Sequence, residues 1–149
     1  MAIVYLGLGS NLGDRGKNIQ DAIRLLNKNH FVVEKLSTLI ETDPVGFLEQ
    51  EKFLNAVLKG HTELSPTDLL SLTQSIEKEI GRQKTFLNGP RVIDIDILLY
   101  DEQKIQTPRL TIPHPRMCQR DFVLRPLKEI EPQWEEMPMR KLIQGTVAK

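Results

Sequence analysis

The chain has 149 residues, 40% of them hydrophobic, and its 20 basic side chains balance 20 acidic ones. A chain of this length forms one domain with its own core, so we expect a single domain over residues 1–149. Zero net charge gives no reason to expect a nucleic-acid partner, and no apolar run reaches the ~18 residues that a membrane span needs. We expect small-molecule substrates and a monomer.

Two further features concern the cellular compartment. The N-terminal segment Met-Ala-Ile-Val-Tyr lacks the basic start and the small-residue cleavage site of a signal peptide. Cys118 is the only cysteine of the sequence, which excludes an intrachain disulfide framework. Both features predict a cytoplasmic location.

The hydrophobic pattern predicts alternating strands and helices. In chain order, the predicted elements are a strand over 3–8, a turn over 9–13, a helix over 14–28, a strand over 31–40, a loop over 41–51, a strand over 53–58, a helix over 65–81, a loop over 82–90, a strand over 92–100, a hairpin through 101–102 and short helices in the tail. The second helix has the clearest boundaries, because Ser65-Pro66-Thr67-Asp68 is typical of a helix start and Gly81 of a helix end.

This order of elements indicates a fold class. Strand–helix–strand–strand–helix–strand is the split β-α-β pattern of a ferredoxin-like sandwich. We therefore predict an α+β fold, βαββαβ, in which the helices pack on an antiparallel sheet. Such a fold supports many functions, so the function has to be argued from the site.

The strand within 92–100 carries the main chemical signal. Asp94 and Asp96 are two residues apart, so both carboxylates point to the same face of the strand. Oxygen ligands at this spacing suit Mg²⁺, which takes one or two carboxylates and leaves its other positions to water and substrate phosphates. Arg91 adds a group that binds phosphate. The alternative is a salt-bridged pair at a sheet edge, or acids that face solvent on a half-buried strand.

Several basic residues and one histidine are further candidates for ligand binding. Two groups of cations indicate a small polyanionic ligand. Arg82, Lys84 and Arg91 come in a stretch without acids, and Arg109, Arg116, Arg120 and Arg125 follow, opposed only by Asp121. His114 lies between two prolines, which fix an extended backbone and favour a positioned hydrogen-bond donor over a ring that only satisfies a carbonyl.

Two more motifs have to be interpreted, a glycine-rich segment and a pair of residues on one strand. Gly7-Leu-Gly9-Ser-Asn-Leu-Gly13 has its third glycine one residue late for a dinucleotide fingerprint, so we interpret it as a tight turn between strand and helix. Phe53 and Asn55 share one strand face, where an inward amide could bind the amide edge of a heterocycle. The second signal is weak by itself.

Together, these motifs carry a family resemblance. Gly-Pro-Arg-Val-Ile-Asp-Ile-Asp-Ile-Leu-Leu at 89–99 and Leu-Thr-Ile-Pro-His-Pro-Arg-Met at 110–117 resemble the 6-hydroxymethyl-7,8-dihydropterin pyrophosphokinase family of folate biosynthesis, as do Gly-Leu-Gly-Ser-Asn-Leu-Gly-Asp at 7–14 and Phe-Leu-Asn-Ala-Val at 53–57. The resemblance implies transfer of the pyrophosphoryl group of ATP to the pterin hydroxymethyl group, with release of AMP. It also implies two Mg²⁺ ions.

The resemblance assigns residues to three sets. The implied catalytic residues are Arg82, Arg91, Asp94 and Asp96, of which Asp94 and Asp96 hold the metal ions. The implied ATP site comprises Gln74, Glu77, Arg91, Ile97, Arg109, Thr111, His114 and Arg120. The implied pterin site comprises Thr42, Pro44, Val45, Phe53, Asn55 and Phe122.

Some positions depart from the family pattern. Many members have tyrosine where this chain has Pro115 and Phe53, and a tryptophan near Asn88 is absent here. None of these positions belongs to the predicted metal site. The segments 41–51 and 82–90 carry glycine and proline, and we expect both to close over the substrates.

Two other functions are compatible with parts of the pattern. A non-catalytic ferredoxin-like regulator would bind ATP without consuming it. A nucleotide-sugar transferase could use Asp-Ile-Asp as its metal motif, but the chain offers no sugar-nucleotide domain. The nucleotide product distinguishes the three functions.

Overall fold

The computed structural model describes residues 1–43, 49–81 and 92–144, and their secondary structure alternates as the sequence predicts. The elements are β1 (Ala2–Ser10), α1 (Arg15–Lys28), β2 (Phe31–Leu36), β3 (Ile40–Thr42), β4 (Phe53–Thr62), α2 (Pro66–Gly81), β5 (Asp94–Tyr100), β6 (Ile105–Gln106), β7 (Thr111–Ile112), α3 (Asp121–Ile130) and α4 (Pro138–Gln144). Single 3-10 turns at Met117–Gln119 and Trp134–Glu136 precede α3 and α4.

The main sheet has the strand order β2-β4-β1-β5, and each neighbouring pair is antiparallel. The short strand β3 pairs with β4 beside the end of β1. The predicted α+β class, with an antiparallel sheet and helices packed on it, is confirmed.

The two main helices begin where the sequence predicts. The Asp14 carboxylate accepts a hydrogen bond from the Lys17 N–H at 3.1 Å and caps α1. The Ser65 hydroxyl accepts one from the Asp68 N–H at 3.2 Å and caps α2. Each bond satisfies an N–H that has no partner within its helix.

The predicted strand over 31–40 is wrong, because the chain forms two strands and β3 extends into the predicted loop. Ser37 lies between them and is buried. Its hydroxyl accepts a hydrogen bond from the Val57 N–H at 2.9 Å, and its own N–H donates to the Val57 carbonyl at 2.9 Å. The serine side chain thus replaces a strand carbonyl and interrupts the ladder.

The predicted hairpin through 101–102 is also not formed, since β6 pairs with β7 and not with β5. Asp101 has a φ of 48° and ends β5 beside β1. Its N–H donates to the Ile3 carbonyl at 2.7 Å, and its carboxylate accepts from the Ile3 N–H at 2.7 Å. These bonds hold Asp101 against β1 and direct the chain away from a hairpin.

Helices pack on both faces of the sheet, which the sequence does not predict. Alternate residues of β1 point to opposite faces: Val4 and Leu6 pack with α1 and α2, whereas Tyr5 packs with α3 and the buried Trp134. The C-terminal layer covers only part of the second face. No helix among the described residues is long and apolar enough to span a membrane.

Candidate active site

The uncovered part of the second sheet face is a cavity of about 290 Å³. Its walls come from β1, β3, β4, β5 and the segment 114–123. The predicted residues that line it are Thr42, Phe53, Asn55, Asp94, Asp96, His114, Arg120 and Phe122. The fold therefore brings together residues that are up to 80 positions apart in the sequence.

Two glycines of β1 form the floor of the cavity. Gly9 pairs with Asn55 of β4 and with Asp94 of β5, and Gly7 pairs with Asp96. Both glycines lie within a strand, so the predicted tight turn over 9–13 starts too early. Because glycine has no side chain, the space above β1 stays open between the two neighbouring strands.

On the β5 side of the cavity, Asp94 and Asp96 share one face, as predicted. They alternate with the buried Ile95 and Ile97, and both acids are half-buried. The Asp96 carboxylate lies 3.9 Å from the Arg120 guanidinium. In the described part of the chain, no group of three or more His, Cys, Asp or Glu side chains gathers as a metal site. The two carboxylates supply oxygen ligands, which fit Mg²⁺; its other ligands would be water and phosphate.

His114 is held by its backbone and by one ring nitrogen. Its N–H donates to the Leu98 carbonyl of β5 at 2.9 Å, and its Nδ1 accepts from the Arg116 N–H at 3.2 Å. Burial lowers the pKa of His114, and the Arg120 and Arg116 charges lower it too, against the opposing effect of Asp96. The ring is thus neutral near pH 7, with Nδ1 as acceptor and Nε2–H available as a donor.

Arg120 and Phe122 lie at the start of α3. The Arg120 guanidinium stacks 5.4 Å from the centroid of the Phe122 ring, which orients both groups toward the cavity. Arg116 and Asp43 also line the cavity, and neither was predicted. Arg116 belongs to the run of arginines noted in the sequence, but only the folded chain shows which of these arginines face the cavity.

On the β4 side, the wall consists of Thr42, Phe53 and Asn55. Thr42 of β3 pairs with Phe53 of β4. The Asn55 amide donates to the Thr42 hydroxyl at 2.5 Å, and Asn55 is buried. This bond fixes the orientation of the amide, so its carbonyl oxygen is the acceptor beside Gly9.

Five predicted ATP-site residues do not line the cavity; they are Gln74, Glu77, Ile97, Arg109 and Thr111. The Glu77 carboxylate accepts from the Ile95 N–H at 2.8 Å and so links α2 to β5. The Ile97 side chain is buried in the core, and Gln74 and Arg109 are exposed. Pro44, Val45, Arg82 and Arg91 lie outside the described residues.

The fold and the cavity define a class of protein. One cavity that combines carboxylates, an arginine and a neutral histidine with an amide and aromatic rings suits an enzyme that joins a phosphorylated ligand to a planar one. A family model described as 7,8-dihydro-6-hydroxymethylpterin-pyrophosphokinase (HPPK) matches residues 5–132. The chain belongs to this family.

Named relatives agree with this assignment. The 2-amino-4-hydroxy-6-hydroxymethyldihydropteridine pyrophosphokinase of Aquifex aeolicus is 52% identical over 132 residues, which cover 89% of this chain and 82% of the relative. The Bacillus subtilis enzyme of the same name is 48% identical over 135 residues, 90% of this chain and 81% of the relative.

Solved structures are similar in fold. A crystal structure of HPPK-DHPS in complex with substrates superposes with a TM-score of 0.70 at 15% identity. The match covers 97% of this chain and 43% of that chain. At this level of identity, the similarity concerns the fold alone.

Proposed function

We propose that this protein transfers the pyrophosphoryl group of ATP to 6-hydroxymethyl-7,8-dihydropterin, giving the pterin diphosphate and AMP in folate biosynthesis. The observation that carries the proposal is the division of one cavity. Asp94 and Asp96 line it from β5, with Arg120 beside Asp96, and Asn55 and Phe53 line it from β4. The triphosphate of ATP needs the charged groups, and the pterin ring needs the amide and the aromatic surface.

The triphosphate would bind on the β5 side. Asp94 and Asp96 would hold two Mg²⁺ ions, which supply charge neutralisation and orientation of the phosphates when bound. Arg120 is suited to a bidentate contact with phosphate oxygens. The neutral His114 would donate from Nε2 to a phosphate oxygen, because its Nδ1 is already an acceptor.

The pterin would bind on the β4 side. Its amide-like ring edge matches the fixed amide of Asn55, which Thr42 orients. Phe53 and Phe122 both line the cavity and offer flat apolar surfaces to the ring system. The backbone of Thr42, Pro44 and Val45 would bind the remaining ring edge.

The reaction follows from this placement. The pterin hydroxyl oxygen attacks the β-phosphorus and its proton passes to solvent. The bond from that phosphorus to the α,β-bridging oxygen breaks, and AMP leaves with that oxygen. Arg120 lies beside Asp96 and is placed to stabilise the charge that develops on the transferred group. We assign Arg82 and Arg91 the same role, stabilisation of the charge on the transferred group.

Several finer assignments belong to the same proposal. Gln74, Glu77, Ile97, Arg109 and Thr111 are assigned to ATP beyond its phosphates. The ferredoxin-like topology is supported by the strand order β2-β4-β1-β5, in which β4 separates β1 from β2. A monomeric state and a cytoplasmic location complete the proposal.

The nucleotide product tests the function. The protein is mixed with ATP, Mg²⁺ and the pterin, and the nucleotides are separated with and without the pterin. Pterin-dependent AMP that disappears on chelation of Mg²⁺ is the expected result. ADP would contradict the pyrophosphoryl step, and bound ATP without turnover would favour a regulatory module.

A further inference from the structure

The β3–β4 hairpin extends beyond the strand that supports it. The last residue pair between β1 and β4 joins Ser10 to Leu54, whereas β3 and β4 continue to the pair Thr42 and Phe53. Phe53 therefore lies past the end of the β1 ladder, although it lines the cavity. Another part of the chain has to support this end of the hairpin.

Asn11, which follows β1, and Arg15, the first residue of α1, bind the hairpin where the β1 ladder ends. The Arg15 guanidinium donates from Nη1 to the Lys52 carbonyl at 2.8 Å, and its Nη2 lies 3.0 Å from the Glu41 carboxylate. The Asn11 amide donates to the Glu51 carbonyl at 3.0 Å. The carbonyls of successive residues thus accept bonds from side chains in place of a strand.

Arg15 contacts both arms of the hairpin. Glu41 belongs to β3, and Lys52 directly precedes β4. A planar guanidinium with several donors can make both contacts at once, which a single ammonium cannot do in the same geometry. Arg15 therefore fixes the hairpin relative to the start of α1 and to the glycine floor of β1.

Helix stability gives no reason for an arginine at this position. Arg15 is the first residue of α1, and no acidic residue occupies the first turn. The partial positive charge at a helix N-terminus disfavours a cation there. The contacts to the hairpin explain the arginine better than its effect on the helix does.

We infer that Arg15, assisted by Asn11, is a positioning residue for the pterin. Arg15 does not line the cavity, so it acts through Thr42 and Phe53, which do. The inference rests on the proposed function, since it assigns the β4 side of the cavity to the pterin. A role in stability alone would affect both substrates equally.

The test compares Arg15→Ala with the wild-type protein in steady-state kinetics and thermal unfolding. Arg15→Ala is expected to raise the KM for the pterin about fivefold, the size of a lost partly exposed ionic hydrogen bond. The KM for ATP should stay unchanged, and the thermal midpoint should fall by no more than about 4–8 °C, because the lost pair is partly exposed. Arg15→Lys should restore part of the pterin affinity, because it keeps the charge.

Lys17→Ala provides a matched control on the same helix. It breaks the exposed pair between Lys17 and Asp21, whose atoms lie 2.9 Å apart, and Lys17 is not among the residues that line the cavity. This variant should match the wild-type protein in both KM values. The comparison separates the hairpin contact from any general effect of removing a cation from α1.

Two results would overturn the positioning role. One is an unchanged KM for the pterin in Arg15→Ala. The other is an equal rise in both KM values together with a lower thermal midpoint. If the wild-type protein forms no AMP from ATP and pterin, the proposed function itself fails, and this outcome is distinct from both.

Discussion

Gly9 lies opposite Asn55 in the ladder between β1 and β4, and a Cβ atom on Gly9 would come within 2.8 Å of the Asn55 amide oxygen. On its other side, Gly9 pairs with Asp94. The amide and the carboxylate therefore face one cavity because the residue between them has no side chain. The shape of this cavity depends on the missing side chain as well as on the groups around it.

Gly9→Ala should therefore impair the pterin site. The new methyl group would displace the Asn55 amide and crowd the Phe53 ring, whose Cδ1 lies 3.4 Å from the Cβ position. We expect kcat/KM for the pterin to fall by at least about tenfold, the cost of one misplaced polar contact. Steady-state kinetics with varied pterin measure this.

Gly16→Ala is the control for that substitution. Gly16 is in α1, and apart from its chain neighbours and the helix backbone, no heavy atom of the described residues lies within 4 Å of its Cβ position. Alanine there should leave activity unchanged and stabilise the protein by about 0.5–1 kcal/mol. Equal activities of Gly9→Ala and Gly16→Ala would show that the glycine floor is not needed.

Neutral substitutions of the two aspartates should abolish most of the activity. Asp94→Asn and Asp96→Asn keep the shape of the side chains but remove the charges proposed to hold Mg²⁺. We expect kcat to fall at least about a hundredfold, as when a group that stabilises charge in the transition state is removed. The Mg²⁺ concentration for half-maximal rate should rise.

Circular dichroism should show the same fold in both aspartate variants, because these side chains face the cavity and not the core. Glu102→Gln serves as control, since Glu102 is exposed just after β5. Near-normal turnover in a folded Asp94→Asn or Asp96→Asn protein would contradict the metal site.

The lowered pKa of His114 predicts a pH dependence of stability. The unfolded chain binds a proton on this ring near pH 6.5, whereas the folded chain, in which burial disfavours the charge, binds it only at lower pH. Between these two pKa values the unfolded state holds more protons. The contribution of His114 to stability is therefore complete above pH 6.5 and is lost as the pH falls through this window.

His114→Asn tests the prediction, because its amide oxygen can still accept from the Arg116 N–H. Urea unfolding without substrates at pH 7.5 and pH 5 should show a smaller loss of stability in the variant than in the wild-type protein. An identical loss in both proteins would mean that other groups cause the pH dependence.

Gly60 lies away from the site, and its substitution is predicted to change the free energy of unfolding. A Cβ there would lie 2.5 Å from the Val32 carbonyl oxygen and would clash with the Phe31 ring. Gly60→Ala should reduce the free energy of unfolding by about 1–3 kcal/mol, as expected for overpacking. Urea unfolding measures this, with Gly16→Ala as the reference; wild-type stability would contradict the close packing.

Local patterns were enough to predict much of the fold. The two-residue spacing of Asp94 and Asp96 placed both acids on one face, and Ser65 marked the start of α2. Phe53 and Asn55 were placed on one face by the same argument. These predictions depend only on the period of a strand or on the chemistry of a helix end.

The remaining features depend on long-range contacts. Gly7 and Gly9 resemble a turn in sequence, yet they pair on both sides within β1. The position of His114 depends on a bond to Leu98, and that of Arg15 on a hairpin 37 residues away. The C-terminal layer is made of short segments, and one of its helices contains Pro126. These segments are too short for a hydrophobic periodicity that would predict the layer.

The most direct test of the account is phosphorus NMR of the products formed from ATP, Mg²⁺ and the pterin. Pyrophosphoryl transfer predicts one AMP signal and two coupled signals from the diphosphate on the pterin, formed in equal amounts. ADP with a single phosphate signal on the pterin would contradict attack at the β-phosphorus and, with it, the central claim.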